Sequence, residues 1–268
     1  MNKTATRTLA SGKEMPVLGL GTWKLTNKTG ETVKAALELG YRMIDTSGDY
    51  GTQQGVGEGI RNSGVARDAI YLATKVEEDE DAYKSAQKNL KELGLEYADL
   101  ILIHRPPKKG VGEELWEGLQ RAKKEGLALD IGVSNYSVAQ IQELVDKSGE
   151  MPAVNQIEWS PFGHSEDLLA FCQENNIILQ AYSPLTHGKR LDDATLGDIA
   201  RKYGKETAQV LVRWNLQLGT VPLPKANQLA HLKANIDVFD FKLSDDDMVR
   251  LGSLDEQYSS LGDKLAYV

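Results

Sequence analysis

Seven short apolar runs in this chain of 268 residues each end on a polar residue. They are YRMID at Asp45, IYLATK at Lys75, LILIH at His104, LDIGVSN at Asn135, AVNQ at Gln156, IILQAY at Tyr182 and GTVPLPK at Lys225. Each run reads as a strand and is followed by a stretch of helical periodicity. In a closed parallel barrel the strand ends open on one face, so these seven residues would ring a single mouth. That is a catalytic face laid out in sequence order, and reducing a carbonyl there would need a proton donor that delivers as negative charge grows on the oxygen. A free tyrosine, with a pKa of about 10, is a poor acid at neutral pH. A lysine ammonium within a few ångströms lowers that pKa, and a carboxylate beside the lysine keeps it charged and in place.

The elements that must hold such a ring can be counted. The run LGLG ending at Gly21 adds a strand ahead of the seven, which makes eight. ETVKAALELG has apolar residues at Val33, Ala36, Leu37 and Leu39 and stops on Gly40. SVAQIQELVDKSG aligns Val138, Ile141, Leu144 and Val145 and also stops on glycine. SEDLLAFCQENN opens on Ser165 with acidic residues in its first turn, as a helix N-terminus prefers. The expected fold is α/β, a (β/α)8 TIM barrel, whose typical length of roughly 250 residues fits one domain spanning 1–268. No Pro/Gly/Ser-rich linker divides the chain. TRTLASGKEMPVLG reads as an N-terminal β-hairpin closing the barrel bottom. QLAHLKANI and SDDDMVRLGSL read as two extra C-terminal helices.

The motifs GLGTW, MIDTS-x-x-YG, ATK, LILIHRP, IGVSNY, NQIEW, QAYSPL and PLPK follow one another from about Gly19 to Asn235. In that order they resemble the aldo-keto reductase superfamily, and most of all its short prokaryotic members that reduce diketogluconates and small aldehydes. The resemblance implies NAD(P)H-dependent reduction of small aldehydes or ketones, dicarbonyls and keto-sugars among them. NADPH is the preferred cofactor and NADH a weaker alternative. It assigns Tyr50 as proton donor, Lys75 as the cation that lowers its pKa, Asp45 as the carboxylate and His104 as the group that orients and polarises the carbonyl. Cofactor contacts fall to Gly21, Thr22 and Asp45, to Ser134, Asn135 and Gln156 at the carboxamide, and to Tyr182 stacked on the nicotinamide. Ser183, Pro184, Leu185 and Lys225 meet the pyrophosphate and adenosine end, with Ala226, Asn227, His231 and Asn235 beside them. Trp23, Tyr50, His104 and Arg105 border the substrate. Taken singly, Tyr50 is an ordinary loop aromatic, Asp45 a helix cap, Lys75 a surface charge and His104 a core histidine. Their coincidence at the ends of adjacent strands favours the functional reading.

Other classes fit less well. A non-catalytic NADPH-binding sensor on the same fold is the alternative, but the chain keeps all four catalytic positions and carries no extra partner-binding segment. A phosphate-handling barrel isomerase would want a Gly-rich loop near AYSPL and VPLPK. GLGTWK lacks the third glycine of a dinucleotide fingerprint, and Gly55, Gly57 and Gly59 are spaced wrongly for one, reading instead as tuning a helix start. The four histidines and lone cysteine show no ligand spacing, so no metal is expected. Cys172 falls on the apolar side of its helix as a core thiol. A net charge of −8 argues against nucleic acid, and the absence of a long apolar run or signal-peptide pattern argues against membrane and export. The expectation is a cytoplasmic monomer whose partner is a small carbonyl compound.

Three departures from the family pattern bear on specificity. Many NADPH-dependent relatives read I-P-K-S, then Arg six residues past the lysine and a Glu-Asn pair beyond. Here the stretch is LPKAN, with His231 at the Arg position and Ala234-Asn235 at the pair. Arg105 stands where an aromatic wall is common and adds positive charge at the mouth, while Trp23 remains as a wall. The loops at 106–112 and 186–192 and the tail past Leu254 are short, which implies an open pocket. The expected outcome for His231→Arg is NADPH binding tightened roughly ten- to a hundred-fold, with NADH little changed, because only the 2′-phosphate rewards a forked cation. Fluorescence quenching with both cofactors measures it, and an unchanged affinity ratio removes residue 231 from that phosphate.

Overall fold

The computed structural model describes residues 2–25, 28–262 and 264–267. An antiparallel hairpin of β1 (Thr6–Thr8) and β2 (Glu14–Pro16) precedes an eight-stranded sheet. Its strands are β3 (Leu20–Gly21), β4 (Met43–Asp45), β5 (Tyr71–Val76), β6 (Ala98–Ile103), β7 (Ala128–Ser134), β8 (Val154–Glu158), β9 (Ile178–Tyr182) and β10 (Val221–Pro222). They lie in sequence order and every neighbouring pair is parallel. The two ends of the sheet meet: the Gly19 N–H donates to the Pro222 carbonyl at 3.1 Å and the Gly21 N–H to the Pro224 carbonyl at 3.3 Å. A side chain at Gly21 would sit 2.8 Å from the Leu223 carbonyl oxygen, so the seam needs glycine there.

Period-2 alternation explains what the barrel holds. Met43, Tyr71, Ala73, Leu100, Leu102, Val154, Ile178, Val221 and Leu223 form one buried cluster inside it, with Leu9 and Met15 of the hairpin packed on the same cluster. The hairpin therefore plugs the barrel bottom, as expected, and its turn is tied to β7 by Ser11 Oγ donating to Asp130 at 3.0 Å. One step of two along each strand carries the interior from apolar to polar: Met43 leads to Asp45, Ala73 to Lys75, Leu102 to His104, Val154 to Gln156 and Ile178 to Gln180. Lys75 and Gln156 thus lie inside their strands rather than at the ends, where the apolar runs had placed them.

The helices α1 (Thr29–Leu39), α2 (Gln53–Asn62), α3 (Ala82–Leu93), α4 (Glu113–Lys124), α5 (Val138–Ser148) and α6 (Glu166–Glu174) alternate with the strands through β9. A capping box of Ser137 and Gln140 starts α5, and the Ser165 hydroxyl accepts from the Leu168 N–H at the start of α6. Between β9 and β10 come two helices, α7 (Ala194–Tyr203) and α8 (Thr207–Leu218). The two expected C-terminal helices are present as α9 (Leu229–Ile236) and α10 (Asp245–Gly252). Since α9 packs on α1 and α8, it fills the eighth place in the ring, and α7 pairs with α10 outside it. Among the described residues no helix is long and apolar enough to cross a membrane. Cys172 is buried in the core, and burial pushes its thiol up to about 12, so it stays protonated.

Gly55, Gly57 and Gly59 do not tune a helix start; they lie within α2 and let other backbones approach. A Cβ at Gly57 would stand 1.8 Å from the Leu93 carbonyl of α3, and one at Gly59 2.6 Å from the Gly30 carbonyl of α1. In α7, by contrast, a Cβ at Gly197 would meet nothing nearer than Arg201 Nη1 at 3.8 Å. Helix propensity alone says both Gly→Ala changes stabilise, by about 0.5–1 kcal/mol. We expect Gly197→Ala to do so and Gly57→Ala to destabilise by about 1–3 kcal/mol through overpacking. Urea unfolding of both variants tests the contrast, and stabilisation by Gly57→Ala contradicts the packing described.

Candidate active site

At the centre of the mouth a lysine is wholly enclosed. Lys75 has no exposed surface, and its ammonium donates to both Asp45 oxygens at 2.9 Å and to the Thr46 carbonyl at 2.8 Å. All three ammonium hydrogens are thereby used. Gln156 Nε2 donates to Asp45 Oδ1 at 2.8 Å and to Gln180 Oε1 at 2.8 Å, and Gln180 Nε2 rests against the Met15 sulfur at 3.1 Å. A chain of polar contacts thus runs from the mouth to the plug.

Tyr50 sits above this pair on a short 3-10 turn, Gly48–Tyr50, just past β4. Its ring lies 4.9 Å from the Lys75 ammonium and edge-on to the His104 ring, with centroids 5.7 Å apart at 69°. Burial, reinforced by the Asp45 and Asp49 carboxylates, holds the Tyr50 hydroxyl well above 10. The Lys75 ammonium, expected to lower it, does not outweigh burial and these carboxylates. Asp45 answers the lysine charge at close range, and burial with the Asp45, Asp49 and Glu77 carboxylates prevails at the phenol.

His104, one residue past β6, is nearly buried, and its Nδ1 lies 2.8 and 3.0 Å from the two Glu77 oxygens. Glu77 also accepts from Ser47 Oγ at 3.2 Å and from Arg105 Nη1 at 3.4 Å, and Glu78 lies 3.7 Å from the same Arg105 nitrogen. The positive charge expected from Arg105 at the mouth is therefore met by two carboxylates. Glu77 was not among the residues expected here. The signal was available: it is two positions past Lys75, the same face of an extended strand.

A cavity of about 690 Å³ opens over these groups, within the range of small-molecule sites. Gly21, Trp23, Asp45, Tyr50, His104, Arg105, Ser134, Asn135, Gln156 and Tyr182 line one part of it. Ser183, Pro184, Leu185, Lys225, Ala226, Asn227 and His231 line the rest, so most expected residues are brought together. Three are not on its surface. Thr22 is buried behind it, its hydroxyl 3.3 Å from that of Thr52, and Lys75 lies beneath Asp45 and Tyr50. Asn235 is buried in α9 one turn beyond His231, and its Nδ2 has no acceptor among the described residues.

The polar lining is already engaged. Asn135, held at φ 65°, donates through Nδ2 to the His104 carbonyl at 3.0 Å and to Ser134 Oγ at 3.1 Å, and accepts from the Tyr182 hydroxyl at 2.8 Å. The Ser134 hydroxyl donates to the Gln156 carbonyl at 2.7 Å. With both Nε2 hydrogens of Gln156 spent, its Oε1 is the atom left for a ligand. At the other end Lys225 Nζ donates to the Lys24 carbonyl at 3.3 Å, bringing two lysines together across the seam. Burial and the Lys24 charge lower the Lys225 ammonium. Lys24, His187, Leu191 and Leu261 also line the cavity, so the loop at 186–192 and the tail reach it despite being short. Trp23 is a wall as expected, its ring 5.4 Å from that of His187.

Residues 17–256 match the family model described as the Aldo/keto reductase family. The chain belongs to that family. The glyoxal reductase of Bacillus subtilis is 40% identical to it over 267 residues, covering 97% of this chain and 96% of that protein. A 9,11-endoperoxide prostaglandin H2 reductase of Trypanosoma cruzi is 38% identical over 265 residues, covering 96% and 93%. Among solved structures, a Bombyx mori aldo-keto reductase in complex with NADP superposes with a TM-score of 0.91 at 34% identity, covering 97% of this chain and 95% of that one. An aldo/keto reductase of Brucella melitensis gives 0.89 at 40% identity, covering 94% and 100%. As an aldo/keto reductase the chain is an oxidoreductase of carbonyl compounds that works with a nicotinamide cofactor.

The state of Tyr50 in this aldo/keto reductase is directly measurable. Its raised pKa means the phenol stays protonated through the alkaline range in which exposed tyrosines ionise. In ultraviolet difference titration, wild type minus Tyr50→Phe should contain no tyrosinate step below about pH 10. A step between pH 7 and 9 would mean that the Lys75 charge does reach the hydroxyl.

Proposed function

We propose that this protein reduces small aldehydes and ketones, α-dicarbonyls among them, with NADPH preferred over NADH. The observation that carries the reading is the convergence of Tyr50, His104 and the Asp45–Lys75 pair on the floor of one cavity whose far end is rimmed by Lys24, Lys225 and His231. The donor set fits a dinucleotide. Ser134, Asn135 and Gln156 Oε1 would hold a carboxamide, and Tyr182 offers a ring face. Ser183 to Leu185 and Lys225 would meet the phosphates, with His231 beside them at the adenosine end.

When bound, the reduced nicotinamide supplies a hydride to the carbonyl carbon. The protein's own work is on the oxygen. Tyr50, kept as a neutral phenol, hands its proton to the carbonyl oxygen as negative charge accumulates there, and His104 orients that oxygen. Lys75 and Asp45 hold the Tyr50 ring from below and fix the floor. Trp23, His187 and Leu261 enclose the substrate side loosely, which supports small and varied carbonyls. Arg105, paired with Glu77 and Glu78, leaves little free positive charge to select anionic substrates. The name of the Bacillus subtilis relative supports glyoxal-type dicarbonyls as the first compounds to try.

Tyr50→Phe should bind NADPH as wild type does and lose about 10²- to 10⁴-fold in kcat for carbonyl reduction, the usual contribution of general acid catalysis. A panel of glyoxals, aldehydes and keto-sugars followed by loss of reduced-cofactor absorbance measures it. Retention of more than roughly a tenth of kcat contradicts the role, since general acid catalysis is worth at least about 10².

A further inference from the structure

The cation most often invoked at such a site is spent here, because Lys75 gives all three hydrogens to Asp45 and the Thr46 carbonyl. The group that faces the cavity beside Tyr50 is His104, and its partner is Glu77. An ionised carboxylate only accepts hydrogen bonds. Burial alone would raise the Glu77 carboxyl, but the hydrogen bond and charge of His104, with Arg105 and Ser47, hold it below the ordinary value. Nδ1 of His104, at 2.8 and 3.0 Å from its oxygens, must therefore carry a hydrogen. Nε2 is then the only ring nitrogen left for the cavity.

A carbonyl oxygen is an acceptor, so Nε2 serves it only as an N–H. With Nδ1–H already given to Glu77, the neutral ring would offer a lone pair at Nε2 and repel the oxygen. Only the doubly protonated ring can do both. Carboxylates outnumber cations around the ring. Asp49 Oδ1 lies 3.6 Å from Nδ1 on the 3-10 turn, and Glu77 follows β5. Arg105 is the opposing cation and is itself bound to Glu77 and Glu78. Asn135 touches only the His104 carbonyl, and the Asp45–Lys75 pair beneath is compensated. A cationic donor at the developing alkoxide is also what a phenol of raised pKa needs, since it stabilises the charge before the proton arrives.

We propose that Glu77 is a positioning residue that fixes Nδ1 of His104 as a donor and makes the imidazolium the form that presents Nε2–H to the substrate oxygen. The proposal rests on the carbonyl-reductase reading. His104 donates a hydrogen bond and keeps its proton; the proton that reaches the product oxygen comes from Tyr50. Reduction is then fastest at low pH and falls as His104 loses its charge. Removing the Glu77 charge should move that fall to lower pH.

Two measurements test it. Long-range proton–nitrogen NMR of the protein labelled with 15N-histidine, assigned with His104→Asn, reads which nitrogen holds the hydrogen in the neutral ring. Wild type and Glu77→Gln, whose amide oxygen can still accept, should show Nδ1–H, and Glu77→Leu should not. In kcat/KM profiles, Glu77→Gln should displace the alkaline fall by roughly one pH unit downward, about tenfold in rate at a fixed pH on that limb. Glu77→Leu should lose about a hundredfold, in kcat more than in KM, consistent with a charge-assisted donor. An Nε2–H tautomer in wild type, or a Glu77→Gln profile that overlays wild type, overturns the proposal while reduction itself stands. If Glu77→Leu loses rate at every pH without displacing the fall, Glu77 is only structural and the proposal is overturned. A wild-type protein that reduces no carbonyl overturns the underlying reading as well, and Tyr50→Phe identifies that case separately.

Discussion

Enclosing an ammonium inside a protein is costly unless its charge and all three of its hydrogens are answered. The penalty for a buried ion remains several kcal/mol after relaxation, and removing one partner of a buried pair typically costs about 3–5 kcal/mol. Lys75 meets this constraint with Asp45 and a backbone carbonyl, and Asp45 in turn is held by Gln156 and so by Gln180. These four side chains come from β5, β4, β8 and β9, which are brought together only by closing the sheet. A one-residue slip in any of those strands would turn its polar side chain out of the interior. The ion pair and the barrel register therefore enforce one another, and the hairpin plug belongs to the same system through Met15 and Gln180.

That solution shapes the chemistry above it. The lysine charge is neutralised where it stands, by Asp45 at 2.9 Å. On the mechanism proposed, the positive charge for the reacting oxygen comes from the Glu77–His104 contact. Arg105 adds little field of its own, since Glu77 and Glu78 both face it. Charge at this mouth is thus arranged in close pairs, which leaves the cavity weakly charged near the chemistry and basic at the Lys24–Lys225 end.

The cavity walls differ from its floor in how they are held. Ser183, Thr186 and His187 all have positive φ, a conformation that side chains other than Gly and Asn adopt at some cost, and the Ser183 hydroxyl lies 3.0 Å from His187 Nε2. The tail is anchored instead by a buried acid: Glu158 accepts from Ser259 Oγ at 2.7 Å and from the Ser260 N–H at 2.7 Å. Lys189 of the strained loop reaches the Ser260 carbonyl at 2.7 Å. Loop and tail therefore meet over the mouth, and Leu261 lines the cavity with them.

Local patterns carry a good deal of this on their own. The apolar runs locate eight strands, the periodic stretches with their Ser caps and glycine stops locate the helices between them, and ordered alternation of the two implies a parallel barrel with one polar mouth. That Asp45, Tyr50, Lys75 and His104 lie together was legible because the strands of a barrel carry their polar residues toward one mouth, although Lys75 sits inside its strand and Tyr50 on a turn beyond one. Charge states were not legible, since they depend on distances between strands far apart in the chain. Whether Lys75 acts on Tyr50 or is consumed by Asp45 turns on a few ångströms across β4 and β5, and Arg105 is compensated only because β5 and β6 are neighbours. Gly55, Gly57 and Gly59 misled for the same reason: a missing side chain reports a close approach without naming what approaches. Composition and periodicity determined the architecture and the chemical inventory; which of those groups remains charged, protonated or free for a ligand was decided by contacts that exist only after the barrel closes.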